Sequence, residues 1–266
     1  MAVKNGTLRA GNMEMEYIRF GTGGKTMILL PGLGDGLRTI KGTALPMGVM
    51  YRKLTEDYTV YSFSRRNCLP EGFTTRDMAR DQAMAMDALG ISRADVVGVS
   101  MGGMIAQFLA ADYPEKVGKL VLVVTCAQPN PILEGAVSQW MDQAKQDDHT
   151  ALMDSNVRLI YSDTYYQKNK KLIPVMGRLT KPKSYDRFLI QAEACRNHDC
   201  FDVLDTVTAP TLVMGGELDQ CLGGDASREI AGKIAGAQLK MYPQWGHGLY
   251  EEAEDFQDVI LEFLRK

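Results

Sequence analysis

Apolar runs of strand length recur along the chain: Met13 to Phe20, Thr26 to Leu30, Thr59 to Phe63, Asp95 to Val99, Lys119 to Val124, Thr211 to Met214 and Gln238 to Tyr242. A strand with one wet face alternates apolar and polar residues. Several of these runs are instead continuous and β-branched, which predicts strands covered on both faces, as in a largely parallel sheet sandwiched between helices. Helical periodicity lies between them. Phe256, Val259, Ile260, Phe263 and Leu264 follow i, i+3, i+4, i+7, i+8 spacing with charges elsewhere, which predicts a closing C-terminal helix. Met104, Ile105, Phe108 and Leu109 repeat the spacing as far as Tyr113-Pro114, where the residue before proline is pushed out of helical dihedrals.

The alternation of strand and helix stops between about Gln128 and Asp202, a stretch with Trp140, Tyr161, Tyr165, Tyr166, Tyr185 and Phe188 but no run of strand character. It predicts a helical cap over residues 128–202 inserted into an α/β core formed by 1–127 and 203–266. Gln128-Pro129-Asn130-Pro131 supplies an entry turn, and Thr208-Ala209-Pro210 leads back into the strand at Thr211. The spacing of Tyr161, Tyr165 and Tyr166 suits one inward helix face, and packing explains them before ligand contact does.

Composition adds mainly exclusions. With 266 residues, 45% hydrophobic and 24% charged, the chain has enough apolar content for one sizeable core. Its formal net charge is -3, and acidic and basic residues are interspersed, so nucleic acid is not an expected partner. No segment approaches the roughly eighteen apolar residues of a membrane span, and the first residues lack a secretory pattern. A cytoplasmic protein with no membrane partner is expected. The expected partner is a small-molecule substrate, and a homo-oligomer stays open. Cys68, Cys126, Cys195, Cys200 and Cys221 are odd in number and scattered, which predicts reduced thiols. Cys195, His198 and Cys200 cluster but lack a fourth ligand at zinc spacing, so packed thiols at a cap-helix end are expected.

Gly98-Val99-Ser100-Met101-Gly102 fits GxSxG, at the end of an apolar strand and before a helix. A serine at such a turn sits on strained backbone with Oγ pointing out of the sheet, and small neighbours let the chains pass. The Met101 amide, at the helix start, is one candidate oxyanion donor. Leu30-Pro31-Gly32-Leu33-Gly34-Asp35-Gly36 follows another strand, and the Leu33 amide is the candidate second donor. The chain has three histidines, and only His247, between Gly246 and Gly248, follows a late strand and precedes the acidic start of the last helix. Its acidic partner is to be found among Asp219, Glu217 and Asp225, the last of which is placed to cap a helix.

Taken together, the elbow, the glycine-rich loop, Thr211-Leu-Val-Met-Gly-Gly-Glu-Leu-Asp219 and Trp245-Gly-His247-Gly-Leu resemble the α/β-hydrolase family over nearly the whole chain outside the insertion. In that family the nucleophile, acid and base follow in this order, which favours Asp219 through its Gly-x-x-Asp turn. The resemblance implies an α/β-hydrolase fold and a Ser-His-Asp triad. It also implies a serine hydrolase acting on a small ester or related acyl compound through an acyl-enzyme, with no metal or organic cofactor. Carbon-carbon bond hydrolysis, thioester cleavage, acyl transfer and perhydrolysis use the same residues, and a non-catalytic small-molecule receptor is the reading from another class. Aspartate-nucleophile members of the fold are disfavoured by the serine at the elbow.

The sequence departs from the family at two loops. Pro31-Gly32 stands where relatives often have His-Gly, and Ser64-Arg65-Arg66-Asn67 replaces an acidic, glycine-rich turn. Arg38, Arg65 and Arg66 either favour an anionic substrate at the site mouth or brace neighbouring backbone. Cys126 and Cys221 are positioned to approach the pocket, but a catalytic thiol is not expected with serine in the elbow.

Overall fold

The computed structural model describes residues 2–266. One eight-stranded sheet runs through it, built from β1 (Val3–Ala10), β2 (Met13–Phe20), β3 (Lys25–Leu30), β4 (Tyr58–Phe63), β5 (Ala94–Val99), β6 (Val117–Val123), β7 (Thr211–Gly216) and β8 (Gln238–Tyr242). The spatial order is β1-β2-β4-β3-β5-β6-β7-β8. β2 runs antiparallel to β1 and β4, and the remaining pairings are parallel. The central strands are continuous apolar runs because both faces are covered. Ile28 and Leu30 of β3 join one core cluster with Met104 and Ile105, whereas Met27 and Leu29 join the other with Phe256 and Ile260.

The helices are α1 (Ala44–Met50), α2 (Thr75–Ala88), α3 (Met101–Asp112), α4 (Pro131–Lys145), α5 (His149–Ile160), α6 (Asp163–Asn169), α7 (Ile173–Thr180), α8 (Asp186–Arg196), α9 (Asp225–Lys233), α10 (Leu249–Glu252) and α11 (Phe256–Arg265). α2, α3 and α9 cover one face, and α1 and α11 the other. A reciprocal cap starts α2, in which Thr74 Oγ1 accepts from Asp77 N and Asp77 Oδ2 accepts from Thr74 N. Helices α4 to α8 lie between β6 and β7, with no strand among the described residues there. α8 packs on α4, on α2 and on the short turn Leu33–Gly36.

Three details differ from the sequence reading. β1 has no apolar signature, since most of VKNGTLRA is exposed, and it pairs with β2 as an edge strand, Val3 opposite Phe20. β6 ends at Val123 because Val124 takes a positive φ of 41°, turning the chain while its amide still bonds Met214 O at 2.8 Å. Tyr161, Tyr165 and Tyr166 do not share one helix: α5 ends at Ile160 with Tyr161 as its C-cap, and Ser162 caps α6 by accepting from Tyr165 N. Tyr161 and Tyr165 stack across that break at 4.2 Å, and Tyr166 turns inward with its hydroxyl on Asp154.

Cys195, His198 and Cys200 are buried, and so are their neighbours Cys126, Gln107 and Thr75. They form a hydrogen-bonded chain. Thr75 Oγ1 lies 2.8 Å from His198 Nδ1, His198 Nε2 lies 3.3 Å from Cys200 Sγ, and Cys200 Sγ donates to Gln107 Oε1 at 3.1 Å. Gln107 Nε2 in turn donates to Cys126 O. The chain joins α2, α3 and the end of the helical insertion through polar groups that are otherwise out of water, so each needs its neighbour.

Burial pushes His198 down to about 3 from its ordinary 6.5. The unfolded chain then binds a proton below pH 6.5 that the folded chain refuses until about pH 3, so stability is full above pH 6.5 and falls as pH drops through that window. Urea unfolding should show the loss, worth a few kcal/mol at its fullest. His198→Gln should be less stable at pH 7 but show a flatter acid limb, and an unchanged limb would refute the assignment.

Candidate active site

Ser100 is the residue between β5 and α3, with φ 55° and ψ −123°, a conformation that L-residues rarely adopt. The surrounding backbone over-determines it. Ser100 N donates to Val123 O at 2.9 Å, and its own carbonyl accepts from Gly103 N and Met104 N. The glycines of the motif make this possible by close approach. A methyl on Gly102 would lie 2.0 Å from Leu30 O and 2.8 Å from Pro31 O, and one on Gly98 would lie 2.5 Å from Gly102 O. Strand β3, the turn and α3 therefore touch backbone to backbone, which side chains at these positions forbid.

His247 sits between β8 and α10, and Asp219 follows β7. Although 147 and 28 positions apart, the three meet: His247 Nε2 lies 2.9 Å from Ser100 Oγ, and His247 Nδ1 lies 2.8 Å from Asp219 Oδ2. The other carboxylate oxygen of Asp219 accepts from Cys221 N at 2.8 Å and Leu222 N at 3.0 Å, which fixes the side chain's rotation. Asp219 and His247 are buried, and Ser100 is half-buried. The histidine loop is seated on β7, since a methyl on Gly216 would strike Trp245 O at 2.4 Å. It is also tied to the helical insertion: Gly248 N donates to Ile160 O at 2.6 Å, and Ser162 N and Oγ donate to Glu252.

The two other acidic candidates point elsewhere. Glu217 is exposed and pairs with Arg228, which holds its carboxyl below the usual range. Asp225 is exposed as the first residue of α9, and the residue in the capping position is Gly224, not Asp225 as its place in the sequence predicts.

Met101 opens α3, so its N–H is among those with no intrahelical acceptor. Leu33 begins the turn Leu33–Gly36 next to Gly32, whose Cα hydrogen faces the serine: a methyl there would lie 3.3 Å from Ser100 Cβ and 3.7 Å from its Oγ. The loop at Gly32 and Leu33 thus abuts Ser100, and Met101 follows Ser100 in the chain.

What the sequence did not reveal is how that loop is held. Arg65 is fully buried and its Nη2 donates to Pro31 O at 2.6 Å, while Arg65 N donates to Asp35 Oδ2. Asp35 Oδ2 also accepts from Arg187 Nη2 of α8, and Arg187 adds bonds to the Asp35, Arg65 and Arg66 carbonyls. Desolvation lowers the Arg65 pKa, and the Asp35 charge opposes that shift. Arg66 is committed to Asp81, and Arg38 is exposed. Of the two readings open for these arginines, the backbone brace is the one that Arg65 adopts, and Arg187 was not foreseen because its partner lies 152 residues away. The signal available was Asp35 in a loop otherwise made of glycine and apolar residues.

Cys221 lies close to the pair, its sulfur within 4.8 Å of ligand atoms of Asp219 and His247, and burial together with the Asp219 charge raises its pKa well above 9. Cys126 is buried and presents its carbonyl to Gln107. Neither thiol replaces Ser100 at the elbow.

Fold and site together define an α/β hydrolase. The family model described as the alpha/beta hydrolase fold matches residues 25–254, so the chain belongs to that family. Among curated proteins it is 27% identical to the 2-hydroxy-6-oxononadienedioate/2-hydroxy-6-oxononatrienedioate hydrolase of Burkholderia vietnamiensis (strain G4), over 99% of this chain and 94% of that one. It is 26% identical to a protein of Caulobacter sp. (strain K31) given a provisional name as a carbamate hydrolase, over 90% of each. Among solved structures, the enol-lactonase from Burkholderia xenovorans LB400 shares the fold with a TM-score of 0.84 at 21% identity, covering 98% of this chain and all of that one.

The contact at Gly102 is backbone on both sides and has nothing flexible to yield. Gly102→Ala is expected to lose about 3 kcal/mol or more in urea unfolding. Gly135→Ala, in α4 with nothing within 4 Å of the new methyl, should be neutral or gain up to about 1 kcal/mol. Equal behaviour of the two variants would remove the steric account of the elbow.

Proposed function

We propose that this protein is a serine hydrolase that cleaves a small ester or related acyl substrate, with Ser100 as nucleophile, His247 as general base and Asp219 as the orienting acid. The observation that carries the reading is the unbroken chain from Ser100 Oγ through the imidazole to Asp219, at 2.9 and 2.8 Å. Nδ1–H directed at Asp219 leaves Nε2 with its lone pair toward the hydroxyl, the tautomer needed for proton abstraction. As Oγ attacks the acyl carbon, its proton passes to Nε2, and Asp219 stabilises the imidazolium. The amides of Leu33 and Met101 receive the developing oxyanion. The imidazolium returns the proton to the leaving alcohol, and water activated at the same nitrogen releases the acid. The residues 128–202 act in this scheme as a cap that excludes bulk water. The five free thiols suit action in a reducing compartment, the cytoplasm.

The second reading is carbon-carbon bond hydrolysis, favoured by the named activity of the Burkholderia vietnamiensis relative, whose substrates carry carboxylates. Against it stand the arginines behind the oxyanion loop. Arg187 is spent on Asp35 and on backbone carbonyls, and Arg65, whose Nε has no partner, is fully buried with Nη2 turned to Pro31 O. A neutral acyl compound makes no demand on either.

A series of nitrophenyl esters of increasing acyl length, run on the wild type and Ser100→Ala, tests class and pocket size together. Ser100→Ala should lower kcat by about ten-thousandfold or more. A phosphonate should add to Ser100 in the intact mass of the wild type alone. Full esterase activity in Ser100→Ala would end the proposal, and ligand binding without turnover in the wild type would favour a receptor. Faster cleavage of a 2-hydroxy-6-oxo-dienoate than of any ester would favour the second reading.

Asp219→Asn should cost about a thousandfold or more in kcat by stabilising the wrong tautomer. Glu217→Gln should leave kcat near wild type and change stability by less than about 1 kcal/mol, because its ion pair is exposed. Steady-state kinetics on both variants decide which carboxylate orients the imidazole.

A further inference from the structure

Helix α7 has two apolar faces, of which one is packed. Ile173 and Gly177 are buried, and Gly177 approaches α5 so closely that a methyl on it would lie 3.1 Å from Thr150 Oγ1. On another side, Leu172, Val175, Met176 and Leu179 follow i, i+3, i+4, i+7 spacing and are 59%, 54%, 47% and 76% exposed. A surface helix ordinarily turns its polar residues outward, and a helix apolar on both sides is one that something covers.

Charge indicates what covers it. Between Thr164 and Tyr185 the chain has Lys168, Lys170, Lys171, Arg178, Lys181 and Lys183 and no Asp or Glu, although its formal net charge is -3. All six are exposed, and Lys181 alone of them pairs with a carboxylate among the described residues, that of Asp147. A second copy docked about a twofold axis would bring this basic rim against itself. An acidic bilayer surface satisfies both features at once: the apolar stripe enters the headgroup boundary and the lysines meet lipid phosphates.

We propose that α7 and its basic flanks form a docking surface for anionic lipid bilayers. The proposal is independent of the chemistry at Ser100. At about 1.5 Å per residue α7 is far too short to span a bilayer and would lie in its plane. Among the described residues no helix is long and apolar enough to cross a membrane, and a peripheral contact requires none. The expectation of no membrane partner, which rested on the lack of a spanning segment, therefore does not extend to this face. Helix α5, on which α7 packs, ends at Ile160, whose carbonyl accepts from Gly248 beside His247. The docked layer is thus the one that adjoins the candidate active site.

The full-length protein is sedimented with vesicles of phosphatidylcholine, and with vesicles of phosphatidylcholine containing phosphatidylglycerol. Binding is expected only to the second, and is expected to weaken with added salt. The double variants V175E/L179E and K170E/K171E should each lower the partition coefficient roughly tenfold or more. Their Tm should match the wild type, since all four side chains are exposed. L45E/V49E, at the other exposed apolar helix, α1, should bind like the wild type. Equal affinity for neutral vesicles, no binding to either kind, or equal loss in L45E/V49E would overturn the proposal. So would a lipid-free dimer that V175E/L179E dissolves.

Discussion

Three stretches of backbone meet at van der Waals distance behind Ser100, and the rest of the site depends on that contact. The end of β3, the turn after β5 and the first turn of α3 approach so closely that no side chain fits at Gly98 or Gly102. The positive φ of Ser100 follows from the same crowding: the chain must reverse within one residue to pass from a strand into a helix lying on the sheet. Strain at that residue costs of order 1–3 kcal/mol. It is offset by bonds at the turn and by two core clusters that hold β5 from both faces, one of which also contains α3.

Around this fixed point the other parts are held by different means. Asp219 is oriented by two backbone amides of its own turn, and His247 by Asp219, so both arrive through short-range bonds at the ends of long connections. The loop carrying Leu33 is held from behind by Arg65, Asp35 and Arg187. That arrangement spends buried charge on position instead of on ligand, and removal of one partner would leave another unpaired in low dielectric. The same brace ties α8 of the helical insertion to the loop carrying Leu33, and Gly248 ties α5 to the histidine loop. The helical layer is therefore bonded to the machinery beneath it at two separate places.

Much of this was legible along the chain because it is encoded locally. Continuous apolar runs mark buried parallel strands, and the GxSxG pentapeptide with its flanking strand and helix marks the elbow. β1 was invisible because it is an edge strand whose outward residues are polar, held by pairing with β2 instead of by burial. The three tyrosines fall on two helices because Ser162 offers α6 a better start than α5 a continuation, a local competition that spacing alone does not weigh.

Ser100 and His247 stood out as residue types in their own short contexts, the one from its glycines and strand, the other by elimination among three histidines. The partner of that histidine was narrowed by the family's turn pattern, whereas its convergence on Asp219 at 2.8 Å is a property of the sheet order, which sets the ends of β7 and β8 side by side. Likewise, whether Arg65 meets a substrate or a carbonyl depends on Asp35 and on Arg187, 122 residues further along. Periodicity and motif report forces that act within a few residues; the charge pairings and close approaches of this site join positions that only folding brings together, so the folded chain alone decided them.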